Sequence, residues 1–293
     1  MKKEITFFLK LIFRMFRITK YFVLFGIFCL QSIYAQSSVE AQLAWADKLF
    51  ASNQYFDAIT EYRRALFFDD QSQYTDQVNF RIAKCYKAGA HFDEAIKYFA
   101  LAEKGAAHDS ILFEAELEII RCNILRKTTE RALQLCDELG KNEKFSSKKN
   151  EINYWRGWAF MFAGDWESAS KFFSETPADK ELKLLCNQVI DAKVSVTFAT
   201  VISYILPGAG QIYSGKILSG LMSLAWNLAA GYFTVNAFVA NRAFDGIVIG
   251  ELIWLRFYRG SIENAKNFAV EKNIEVSNKA LKYLQNEYRG LKP

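Results

Sequence analysis

Four alanines, Ala58, Ala95, Ala132 and Ala169, stand 37 residues apart at every step. Three of them sit in closely similar surroundings: Tyr55-x-x-Ala58-Ile59-x-x-Tyr62-x-x-Ala65, Phe92-x-x-Ala95-Ile96-x-x-Phe99-x-x-Ala102 and Trp166-x-x-Ala169-x-x-x-Phe173. Spacings of three and four put these residues on one face of a helix. A self-similar period of this size marks stacked helix pairs, none of which buries its apolar face alone. The expected fold class is therefore all-α, a solenoid of helix pairs that holds partners rather than one that carries out chemistry.

The same positions resemble the tetratricopeptide repeat (TPR) family over residues 39–176. The family's small residue in the first helix is matched by Ala46, Ala83 and Gly157, and its large residue three places later by Leu49, Tyr86 and Phe160. The aromatic before the second-helix alanine is Tyr55, Phe92 and Trp166. In the third unit Thr129 replaces that aromatic and Cys136 replaces the large residue that follows. The closing proline of the family is approximated only by Pro177. The resemblance implies a TPR-like solenoid of four units over residues 36–177, whose first helices line a concave face that takes a protein or peptide.

The chain has 37 basic and 32 acidic residues, a formal charge of +5. The surplus lies at one end: residues 1–35 carry six basic residues against Glu4, leaving 31 of each sign elsewhere. Nucleic-acid binding, which needs positive charge to displace counterions, loses its compositional support. Residues 1–35 read as a signal peptide, with basic residues before an apolar stretch at 21–33 and a small residue, Ala35, at the cut. Cleavage there would place the repeats on the periplasmic side of a bacterial envelope; an uncleaved anchor is the other reading. Cys85, Cys122, Cys136 and Cys186 lack metal-ligand spacing and read as core thiols. No metal and no cofactor is expected, and no nucleophile elbow or zinc-protease pattern is present.

After a capping helix at 178–193 the composition changes. Residues 217–240 form a 24-residue uncharged run, long enough for one tilted membrane helix. Residues 194–206 reach spanning length only with the glycine segment that follows, and 247–258 are interrupted by Glu251 and Arg256. The reading is a small helical membrane hairpin at 194–260, with one firm span, one further span, and a third segment that lies in the interface or packs on the others. Gly215, Ser219 and Ser223 recur every fourth place, and so do Ala225 and Ala229, a face on which membrane helices associate and the chain could oligomerise. The tail at 261–293 reads as one or two short amphipathic helices with a break near Asn273 and Asn278.

Pro207-Gly208-Ala209-Gly210-Gln211-Ile212-Tyr213-Ser214-Gly215 resembles the Pro-Gly-x-Gly-Gln-x-Tyr-x-Gly turn of small bacterial membrane domains. The resemblance implies an architecture and a membrane location, with Pro207, Gly208, Gly210, Gln211, Tyr213 and Gly215 forming the turn, and no reaction. The stretch also satisfies Gly-x4-Gly-Lys from Gly210 to Lys216, but Ile217 stands where a phosphate loop needs Ser or Thr.

Carrying the family's phase over gives a candidate groove of Phe80, Arg81, Lys84, Lys87, Glu118, Arg121, Tyr154, Trp155 and Trp158, basic in the middle and aromatic at one end. Trp155 and Trp158 either meet a partner or pack under the capping helix, where Leu182, Leu185 and Val189 form an apolar stripe. The functional expectation is a non-enzymatic, membrane-anchored scaffold that recruits an envelope protein or peptide, in assembly or insertion. The alternatives are a subunit of a small transport or channel complex and, more weakly, a nucleotide binder through Gly210 and Lys216.

Overall fold

Helix pairs close on a turn that recurs with the 37-residue period. The computed structural model describes residues 38–106, 108–173 and 179–293, so the signal segment and Pro177 lie outside the described residues. Among the described residues the secondary structure is entirely helical. The pairs are α1 (Val39–Ala51) with α2 (Tyr55–Phe68), α3 (Thr75–Ala88) with α4 (Phe92–Gly105), α5 (Asp109–Leu125) with α6 (Thr129–Lys141), and α7 (Lys149–Ala163) with α8 (Trp166–Phe172). A 3-10 segment, Glu143–Lys148, leads into α7.

Between the two helices of each pair one residue is left-handed: Asn53, Ala90, Lys127 and Gly164, with φ of 61°, 60°, 63° and 83°. The following amide then reaches back five residues. Gln54 donates to Leu49 O at 2.9 Å, His91 to Tyr86 O at 2.8 Å, Thr128 to Asn123 O and Asp165 to Phe160 O, both at 3.0 Å. This closure satisfies carbonyls that a helix end leaves open. The third unit, poorest in sequence, makes the same turn as the others. A side chain at a left-handed position costs about 1–2 kcal/mol, which glycine avoids. Ala90→Gly and Lys127→Gly are each expected to stabilise the chain by about 1 kcal/mol, because part of that relief is lost to the freer unfolded chain. Urea midpoints of the full chain check this.

The period is a packing period. Ala58, Ala95, Ala132 and Ala169 are fully buried. So are the residues four further on, Tyr62, Phe99, Cys136 and Phe173, and in the first helices Ala46, Ala83 and Ile120. Gly157 completes the last series, and a Cβ built on it would lie 2.5 Å from Phe173 Cζ. The aromatic at the end of the fourth unit therefore sits where the facing helix has no side chain.

The chain divides into two compact units, Met1–Cys122 and Asn123–Pro293, with the division inside α5. In the first unit, Leu43, Ala46, Ala58, Ile59, Tyr62, Ala65, Val78, Ile82 and Cys85 form one core. The second continues into α9 (Asp179–Ala192), α10 (Val196–Ile205), the short α11 (Ala209–Tyr213) and α12 (Ile217–Val239). It ends in α13 (Ala243–Val248), a π-helical segment Ile249–Trp254, and α14 (Leu255–Asn286).

The tail is a single helix, not one or two short ones. α14 runs unbroken through Asn273 and Asn278 and across residue 260. Asparagine disturbs helices when its side chain bonds nearby backbone. Asn273 instead spends its amide on the α9–α10 corner, accepting from Val194 N at 2.8 Å and donating to Val194 O at 2.9 Å.

Polarity in residues 194–261 is reversed relative to a water-soluble core. Ile205, Leu218, Val239 and Phe244 are each more than three-quarters exposed, whereas Ser203, Gln211, Ser214, Asn227, Thr234 and Ser261 are buried. By length and mean hydropathy (1.2), the described residues hold one helical stretch apolar enough to cross a membrane, Lys180–Ile205, and only 17% of its apolar window is buried. The sequence put its firmest span at 217–240 instead. Asn227, Asn236, Trp226 and Tyr232 dilute the hydropathy of α12, and the qualifying stretch bends between α9 and α10.

Candidate functional site

The candidate groove residues of the first unit are largely engaged with one another. α3 presents Phe80, Arg81, Lys84 and Lys87, and α5 presents Glu118 and Arg121. Phe80 packs edge-on against Phe99 at 5.2 Å between centroids. The Lys84 ammonium lies 5.9 Å from the centre of the Phe80 ring. Arg81 pairs with Asp47 at 2.9 Å. Glu118 is buried and binds two cations, Lys87 Nζ at 2.7 Å and the Arg121 guanidinium. Burial pulls the Lys87 ammonium below its ordinary range, and the Glu118 carboxylate opposes that shift. What reads in sequence as a basic surface is a half-sunken cluster whose cations meet Asp47 and Glu118, with Lys84 the exposed cation of α3 among the residues singled out.

Sequence reasoning overlooked Arg63, which donates to Tyr86 Oη at 3.0 Å and Tyr98 Oη at 2.8 Å. The two tyrosine rings stack at 5.4 Å. These residues come from α2, α3 and α4, and only the 35 residues between Arg63 and Tyr98, close to one repeat, hinted at the meeting.

In the second unit, Trp155 and Trp158 are almost fully buried. The capping stripe is present, with Leu182 and Val189 buried and Leu185 half-buried. The chain's own last residues add a second cover. Tyr154 Oη donates to Leu291 O at 2.5 Å and lies 3.3 Å from Tyr288 Oη. The Tyr288 ring is 6.0 Å from that of Trp158. Nothing local in the sequence signals this pairing.

The turn at 207–215 brings its predicted residues together. Gly208 is left-handed with φ of 94°, and a Cβ there would lie 2.1 Å from Gly220 O. A Cβ on Gly210 would lie 2.0 Å from Ala199 O, and one on Gly220 would lie 2.6 Å from Gly208 O. These contacts press α10, the turn and the start of α12 together at backbone distance, which only glycine permits. Half-buried Pro207 opens the turn.

Side chains then satisfy the backbone groups so enclosed. Gly208 N donates to Ser261 Oγ at 2.9 Å and Gly210 N to Ser203 Oγ at 3.1 Å. Gln211, fully buried, donates from Nε2 to Ser261 O at 3.3 Å and accepts at Oε1 from Ser219 Oγ at 2.8 Å. Tyr213 Oη accepts from Ser195 N at 3.2 Å, closing the start of α10, and Tyr258 Oη donates to Tyr204 O at 2.8 Å. Gly215 is left-handed, with open space where a Cβ would be. Gln211 is thus a tie between α11, α12 and α14, a polar knot inside an apolar exterior.

Lys216, the end of the Gly-x4-Gly-Lys stretch, pairs with Glu271 at 3.1 Å and lies over the Phe268 ring at 5.5 Å. Among the described residues no strand precedes this stretch, as a phosphate loop would need. Cys85, Cys122, Cys136 and Cys186 are buried, and none of them is in a disulfide. Burial pushes Cys85 and Cys136 up to about 12, far from the reactive thiolate range. The chain matches no protein-family model and none of the curated proteins it was compared with.

Proposed function

We propose that this chain is a non-enzymatic scaffold of the bacterial envelope, held to a membrane by residues 194–260, whose TPR-like helix pairs recruit a protein or peptide. One observation carries the reading. The helices around the turn at 207–215 turn large apolar side chains outward and tie serine, glutamine and asparagine inward. An apolar exterior of this extent is stable in hydrocarbon and not in water. Among the described residues the one stretch with spanning hydropathy, Lys180–Ile205, leads into the same helices.

The recruiting role is supported by the four in-phase helix pairs, since such arrays present side chains of their first helices to a ligand. In the first unit, exposed Lys84 beside Phe80 favours a peptide with an acidic residue next to an apolar one.

Protease digestion of intact cells, spheroplasts and detergent-lysed membranes tests anchoring and sidedness together. The expected result is digestion of the repeats in spheroplasts with a protected fragment covering 194–260. Release of the whole chain by alkaline carbonate would overturn anchoring. Repeats protected until lysis would overturn export.

A further inference from the structure

A cleft of about 380 Å³, lined by both apolar and polar side chains, opens between α12 and α14 in the apolar part of the second unit, beside the Gln211 knot. One of its lining residues carries an unanswered acceptor. Asn227 is 5% exposed; its Nδ2 donates to Ser223 O at 2.8 Å, and its Oδ1 has no partner. A buried amide oxygen left without a donor costs about 1–3 kcal/mol, so an occupant that supplies one is favoured. The cleft is also lined by Arg256, which is exposed. Trp226 and Phe257, whose rings stack at 5.5 Å and 15°, form another part of the lining. The π-helical segment Ile249–Trp254 ends two residues before Arg256, and such segments often accompany binding sites.

We propose that this cleft binds the headgroup of an anionic or zwitterionic phospholipid. The phosphate would pair with Arg256, and a headgroup hydroxyl or ammonium would donate to Asn227 Oδ1. Trp226, Phe257 and the surrounding exposed aliphatic side chains would take the start of the acyl chains. An arginine among lipid-facing residues carries a large solvation cost, which a phosphate partner relieves. The required chemistry is specific: a phosphate ester bearing a hydrogen-bond donor. Phosphatidylethanolamine and phosphatidylglycerol meet it, whereas phosphatidylcholine has the phosphate but no donor. The inference rests on the membrane reading above.

The test is lipid retention by the purified full chain in detergent, read by native mass spectrometry after titration with each of the three lipids. Ethanolamine and glycerol headgroups should be retained roughly tenfold better than choline, the worth of one hydrogen bond to a buried acceptor. Asn227→Leu should abolish that preference, whereas Asn227→Asp, which keeps the acceptor, should retain it. Arg256→Gln should weaken all three. Equal retention of the three lipids by the unaltered chain, or a preference that survives Asn227→Leu, overturns the proposal. Soluble phosphoethanolamine and glycerol phosphate form a separate arm. Binding as tight as that of the lipids would assign the site to a free phosphoester and overturn the lipid. Carbonate extraction of the same variants separates the two readings. A chain that stays in the membrane without headgroup preference sinks the cleft alone, and a chain that is extracted sinks the anchoring as well.

Discussion

Glu118→Gln is expected to destabilise the chain by about 3 kcal/mol, because it removes the carboxylate that the half-sunken Lys87 and Arg121 share. Their side chains are 14% and 20% exposed, so water gives only partial relief. Lys87→Met should cost much less, since Glu118 keeps Arg121 and the desolvation of one ammonium disappears. The pH response separates the two. Burial lowers the Lys87 pKa in the folded chain, so charging that lysine opposes folding. Below the lowered folded value this penalty is present in full. It fades as pH rises from there toward the ordinary lysine value of 10.5. In Glu118→Gln the supporting carboxylate is gone, so the lysine should lose its proton at still lower pH and part of the stability should return under mildly alkaline conditions. Lys87→Met should show no such recovery. Urea denaturation of the full chain between neutral and alkaline pH, followed by proteolysis of the first unit, reads both effects. Equal losses in the two variants would mean that the cluster is solvated and contributes little.

The second large effect belongs to Gly208. Alanine there must hold a left-handed backbone and place its Cβ 2.1 Å from Gly220 O, a backbone atom that cannot move aside as a side chain would. The expected cost is about 4 kcal/mol, the sum of left-handed strain and overpacking. Gly215→Ala is the matched control. Its φ of 86° is equally left-handed, but nothing stands within 4 Å of the added carbon. It should cost about 1 kcal/mol. Unfolding of the full chain in mixed micelles, followed by loss of the membrane-protected fragment, distinguishes them. Equal costs would show that the close approach of the turn to α12 does not hold the domain together.

Some of this was legible in the sequence, for identifiable reasons. The 37-residue recurrence of alanine was readable because a helix crossing admits only a small side chain, and the structure buries all four completely. The turn at 207–215 was readable because positive φ and backbone contact leave glycine as the one solution. The left-handed residue between paired helices was not readable. Asn53, Ala90 and Lys127 hold it without being glycine, since the five-residue closure and the packed helices impose the conformation. Asn273 misled because asparagine breaks a helix only when its amide bonds locally, and here it bonds Val194, 79 residues away. The pairing inside the candidate groove was not readable for a related reason: charge counted along α3 does not reveal that Arg81 meets Asp47 and Lys87 meets Glu118 on neighbouring helices.

The cover over Tyr154 and Trp158 sets an order of events during synthesis. The aromatic face on α7 leaves the ribosome early, yet Tyr288, which closes it, is made 134 residues later, after every apolar helix of the C-terminal part. Until then that face lacks its second cover. A stop codon or a protease cut just before Tyr288 would leave it with the capping helix as its cover.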